Sequence, residues 1–108
     1  MKVSRLENMM GGWFVGDFLP TCLKTEECEV ACKYYKSGDN EKAHAHKIAT
    51  EITVIVSGLV KMNAVEYKSG DIVVLEPGEV TDFHVLEDTI TMVVKVPSVA
   101  GDKYLVEI

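Results

Sequence analysis

Two runs in this chain are too apolar and too β-branched to face water on either side. They are Ile52-Thr53-Val54-Ile55-Val56 and Met92-Val93-Val94. Such runs fit central strands of a sheet covered on both faces. Around them the sequence alternates or runs apolar for a few residues, then breaks at a turn signal. The breaks are Ser37-Gly38-Asp39-Asn40, Ser57-Gly58, Asn63-Ala64, Ser69-Gly70, Pro77-Gly78, Glu87-Asp88 and Gly101-Asp102. Strands are predicted at Trp13–Phe18, Cys28–Lys36, Ala43–His46, Glu51–Val56, Leu59–Met62, Asp71–Leu75, Thr81–Leu86, Thr89–Val96 and Lys103–Glu107. Many short strands at this spacing predict an all-β sandwich or barrel. A period of 3.6 is confined to residues 2–10, so little helix is expected.

A chain of 108 residues fits one domain with a single modest core. Its net charge of −6 and lack of any basic run argue against nucleic acid or an anionic membrane as partner. No apolar stretch reaches the roughly 20 residues of a membrane span. The N-terminal MKVSRLENMMGG carries Lys2 and Arg5 with no apolar core behind them, unlike a secretory signal. A cytoplasmic location is the expectation. The three cysteines, Cys22, Cys28 and Cys32, are an odd number and argue against a disulfide framework. On a strand, Cys28, Val30, Cys32 and Tyr34 share one face, and both Cys are expected to serve as small core hydrophobes.

The chemistry is concentrated in GDNEKAHAHKIATEITVIVSG. His44 and His46 are two apart, which on a strand puts both on one face about 6.6 Å apart. Glu51 follows after a gap short enough for a turn to return it alongside. Two His and one carboxylate can hold a divalent metal and leave coordination positions open.

The spacing Gly38-x5-His44-x-His46-x4-Glu51-x6-Gly58 resembles the first signature motif of the cupin family at all five fixed positions. A second cupin motif, roughly G-x5-P-x-G-x2-H-x3-N, falls on GDIVVLEPGEVTDFHV. Gly70 and Gly78 match it. Glu76 stands at the motif's Pro beside Pro77, and Val85 at its Asn. Thr81 stands where the family's third metal-binding His is expected, so that ligand position is vacant. His84 is an alternative ligand only if a β-bulge between Thr81 and His84 turns it inward. Without one, Thr81 and Phe83 face in while Asp82 and His84 face out.

The resemblance covers about residues 28–97 and implies a jelly-roll β-barrel with little helix. Residues 1–27 are then an N-terminal segment with one or two strands, and 1–108 a single domain. It also implies a divalent metal (Fe, Mn, Ni or Zn) on His44, His46 and Glu51 at the barrel mouth. Tyr34, Ile55, Phe83 and Met92 are the expected wall residues by alternation. The implied function is work on a small polar metabolite, by Lewis-acid chemistry (isomerase, epimerase or lyase) or by dioxygenase chemistry. Non-catalytic metal or small-ligand binding and a degenerate metal-free barrel are the alternatives. Tyr34, Glu41, Asp82 and His84 are the acid/base candidates nearest in sequence. A homodimer is expected, with Met9, Met10, Trp13 and Phe14 at its contact.

Overall fold

A computed structural model of the chain describes residues 1–107. Its strands are β1 (Trp13–Val15), β2 (Glu29–Tyr35), β3 (Asn40–His46), β4 (Thr50–Met62), β5 (Val65–Lys68), β6 (Ile72–Leu75), β7 (Thr81–Val96) and β8 (Lys103–Leu105). Helix is limited, among the described residues, to one 3-10 turn at Leu6–Asn8, inside the stretch where a 3.6 period was expected. All strand pairs are antiparallel. The order is β1-β2-β7-β3-β8, with β4 pairing β5, β6 and β7.

The long strand β7 closes the structure. Its second half pairs with β2, its first half pairs with β3, and β4 runs along its other edge. One curled antiparallel sheet results, wrapped around an interior. Ser57-Gly58 and Glu87-Asp88 were expected to end strands. Instead they bend β4 and β7 where the register between the two shifts repeatedly. Gly58 makes the bend possible. Its φ is +104°, and a Cβ there would collide with the Thr89 hydroxyl and the Asp88 carbonyl. The predicted strand pairs on either side therefore merge into single strands of 13 and 16 residues. Asn63-Ala64 does reverse the chain, with φ of +48° and +67°, and leads into the short β5 that the pattern missed.

The two apolar runs lie where expected. Ile52 pairs with Val74 on one side and Val94 on the other, and Val94 pairs onward with Val30. The next row is Ile72, Val54, Met92 and Cys32. Both rows lie on the outer face. The inner face of these strands changes along its length. On β4, Glu51 and Thr53 line a cavity, and Ile55 enters the apolar core with Val60, Met62, Leu75, Phe83 and Val85. The fold thus places a polar cavity at one end of its own hydrophobic core.

Candidate metal centre

A bulge on β3 sets the site. Glu41 pairs with Phe83 and His44 with Thr81, so three residues on β3 span two on β7. The extra residue turns both Glu41 and His44 inward despite their odd spacing. His46 follows two residues on, and its carbonyl accepts from the Gly78 N–H at 2.8 Å. The turn after β3 is gathered by Asp102. Its Oδ1 accepts from the Ile48 N–H and its Oδ2 from the Ala49 N–H, each at 2.9 Å. That turn returns the chain so that Glu51 lies beside His46.

His44, His46 and Glu51 each offer a ligand atom, and these atoms all lie within 4.8 Å of one another. His44 Nδ1 donates to the Lys42 carbonyl at 2.9 Å, which leaves its Nε2 as the lone-pair nitrogen. His46 is 3% exposed, and neither of its ring nitrogens has a hydrogen-bond partner. Its Nε2 is 3.6 Å from Glu51 Oε1, and its Nδ1 is 4.0 Å from Asp102 Oδ2. Burial opposes ionisation of Glu51, but His46, Lys95 and His44 outweigh it and hold the carboxyl below its ordinary value. A carboxylate biased toward its charged form beside two imidazoles, one of them orphaned, fits a divalent cation. A buried polar nitrogen normally has a partner, and a metal bond would supply it.

The cavity around this set measures about 120 Å³. No protein-family model matches the sequence, and no curated protein matches it. Solved structures do match. A double-stranded β-helix protein from Klebsiella pneumoniae subsp. pneumoniae is 26% identical, with a TM-score of 0.70 over 80% of this chain and 75% of that one. An RmlC-like cupin from Shewanella frigidimarina is 18% identical, with a TM-score of 0.65 over 70% and 71%. The fold is the double-stranded β-helix of the cupins. The DMSP lyase DddQ from Ruegeria pomeroyi shares the fold at 16% identity and a TM-score of 0.71. The chain, matched over 86% of its length, spans only 49% of that lyase.

The expected wall needs correction. Phe83 does line the cavity, stacked at a tilt on Tyr35 with ring centroids 5.0 Å apart. Tyr34 does not; it is 69% exposed on the outer face. The inner face of β2 is Glu29, Ala31, Lys33 and Tyr35, which reads as polar and so was mistaken for the outside. For the same reason Cys28 and Cys32 are only half-buried, and all three thiols are unpaired. Ile55 belongs to the core behind the cavity. Met92 points outward in the row with Val54, and its neighbours Thr91 and Val93 line the cavity.

Thr81 is 2% exposed, lines the cavity opposite His44, and donates to the Asp82 carbonyl at 2.7 Å. The extra residue of the β3–β7 bulge lies on β3, so β7 keeps its alternation from Thr81 to His84, and His84 faces solvent with Nε2 3.3 Å from Asp82 Oδ2. The bulge that would have turned His84 inward is on β3 instead. Asp82 is used structurally, accepting from the Asn63 N–H at 2.8 Å. Of the acid/base candidates, only Glu41 reaches the cavity. It accepts a hydrogen bond from the Tyr35 hydroxyl at 3.1 Å. Burial first, and then the Glu41 charge, push the Tyr35 phenol far above its ordinary value, so it stays protonated. Tyr35, Lys33, Lys95, Lys103 and Asp102 were missed. The Tyr35 and Lys33 positions were recoverable from the parity of β2; Asp102 carried no local signal.

Proposed function

We propose that this chain binds one divalent metal through His44, His46 and Glu51 and acts on a small polar metabolite in the adjoining cavity. The carrying observation is His46, a buried imidazole with both nitrogens unpartnered at the point where His44 and a charged Glu51 converge. When bound, Fe, Mn, Ni or Zn in this donor set supplies a Lewis acid or a centre for oxygen activation. The chain's own residues supply the rest. Asp102 fixes the turn that brings Glu51 to His46. The Lys42 carbonyl orients His44. Tyr35, kept protonated and held by Glu41, presents its phenol oxygen to the cavity as a neutral hydrogen-bonding group for the substrate. Phe83 and Val93 exclude water from one side. A DMSP lyase built on the same fold supports the catalytic reading over simple binding, at the level of fold alone.

A Co2+ titration followed by visible absorption tests the site. One saturable ion per chain in the parent, and no bound-ion spectrum in His46→Ala, are expected. Absence of binding by the parent would refute the proposal.

A cytoplasmic homodimer completes the proposal. No helix is long and apolar enough to cross a membrane among the described residues. Three unpaired thiols suit a reducing compartment. The partner is a second copy seated on the outer face, where the rows Val74-Ile52-Val94-Val30 and Ile72-Val54-Met92-Cys32 make a self-complementary apolar surface. This moves the contact away from the N-terminal residues. Trp13 among them lines the cavity.

A further inference from the structure

The cavity that holds the His/His/Glu set also holds three lysines, Lys33, Lys95 and Lys103, against two carboxylates, Glu41 and Glu51. This is unusual placement in a chain whose net charge is −6. Each charge can be followed to its partner. Glu51 is taken up by the imidazoles, and Glu41 accepts from Tyr35. Lys95 is neutralised by Glu29 Oε1 at 3.3 Å, and Glu29 is itself held by the Ser98 hydroxyl at 2.9 Å. Lys103 is exposed on β8, in register with His46. Lys33 is different. It points inward from β2, half-buried, with its Nζ 5.2 Å from the centre of the Trp13 ring. No carboxylate among the described residues forms an ion pair with it, unlike Lys95 with Glu29. Burial lowers its pKa, and the nearby Glu41 charge offsets this only in part.

An unneutralised lysine inside a small cavity is costly unless something visits it. We propose that Lys33 is an anion subsite, and that this chain takes its substrate as a small carboxylate. The carboxylate ion-pairs with Lys33 over the Trp13 ring, with Lys103 adding positive field. The remainder of the molecule extends toward His44, His46 and Glu51. The inference rests on the reading of this cavity as the substrate site, and it names the substrate class. Size narrows it further. A cavity of about 120 Å³ is somewhat smaller than the ~150 Å³ that accepts benzene, so the ligand has about six heavy atoms or fewer within the enclosed part. The competing explanation is that Lys33 only packs its stem and charge against Trp13 as a structural cation–π contact.

The chain has one tryptophan, and it is Trp13, so its fluorescence reports on this wall directly. The probes are propionate and its neutral isostere propionamide, titrated into zinc-supplemented and EDTA-treated protein. Propionate is expected to shift Trp13 emission saturably, at least tenfold more tightly than propionamide. Lys33→Met should abolish that preference, Lys33→Arg should retain most of it, and Zn2+ affinity should be the same in both variants and the parent. Equal binding of the two probes, or a preference that survives Lys33→Met, would overturn the inference. Tighter binding of inorganic phosphate than of propionate would overturn the carboxylate class. If the parent takes up no Zn2+ yet shows a Lys33-dependent preference for propionate, the anion subsite stands and the metal centre falls.

Discussion

Replacing Thr81 with histidine should tighten divalent-metal binding by about ten- to a hundredfold. Thr81 sits directly opposite His44 in the β3–β7 pair, where facing Cβ atoms are about 4.5–5.5 Å apart. It is 2% exposed and faces a cavity of about 120 Å³, which has room for the larger ring. The hydrogen bond lost is a local one to the Asp82 carbonyl, so little stability goes with it. Groups that only orient metal ligands carry about ten- to a hundredfold in affinity, and a fourth direct ligand should contribute at least on that scale. The gain corresponds to about 1.4–2.7 kcal/mol. For 108 residues at about 2.1 cal/mol/K each, the unfolding entropy is about 0.23 kcal/mol/K. With free metal in excess of Kd for both proteins, Thr81→His should therefore gain about 6–12 °C more on metal addition than the parent. Differential scanning calorimetry with and without Zn2+ measures this, and His84→Ala is the control that should match the parent. If His84→Ala loses the metal-induced shift and Thr81→His adds nothing, His84 belongs to the site and the β-strand parity is wrong.

Lys33 gives a pH dependence. Its pKa is lowered in the folded chain, so the unfolded chain binds more protons between the folded value and 10.5. Its cost is present in full below the folded pKa and is relieved as pH rises toward 10.5. Lys33→Met should be at least as stable as the parent at pH 7, with the parent catching up at alkaline pH. Guanidinium unfolding at the two pH values decides it, and a variant less stable at pH 7 would contradict the reasoning. Asp102→Ala removes two charge-assisted hydrogen bonds to the β3–β4 turn and should cost about 3 kcal/mol, measured by urea unfolding. A cost under about 0.5 kcal/mol would mean that the turn holds itself. Light scattering should give twice 11.9 kDa for the parent and 11.9 kDa for Val54→Glu, and a monomeric parent would remove the dimer.

The sequence was most legible where period and chemistry coincided. The runs around Ile52–Val56 and Met92–Val94 identified the sheet centre, because strands flanked by partners on both edges carry β-branched and apolar residues on both faces, even though the outer face is only half-covered. The spacing of His44, His46 and Glu51, together with Gly38 and Gly58, was enough to see the resemblance to cupins and the fold that follows. Strand ends were less legible. Gly58 looks like a turn residue in sequence, and only the close approach of Thr89 and Asp88 shows that it bends a continuous strand. The short Val65–Lys68 strand carries too few residues to show a period. The site wall was read inside out on β2, because the rule that apolar residues face inward fails beside a polar cavity. Glu29 and Lys33 face in, while Val30, Cys32 and Tyr34 face out into the apolar rows. The bulge between Glu41 and His44, which admits both to the cavity, has no sequence marker at all.

The metal content of protein purified without an affinity tag bears on the proposed centre more directly than any variant's stability. Elemental analysis should find about one divalent transition ion per chain, and close to none in His44→Ala or His46→Ala purified alongside. A parent with less than about a tenth of an ion per chain that also takes up none on dialysis against Zn2+, Mn2+, Ni2+ or Fe2+ would show that His44, His46 and Glu51 do not form a metal centre. Full metal content in both variants would place the ligands elsewhere.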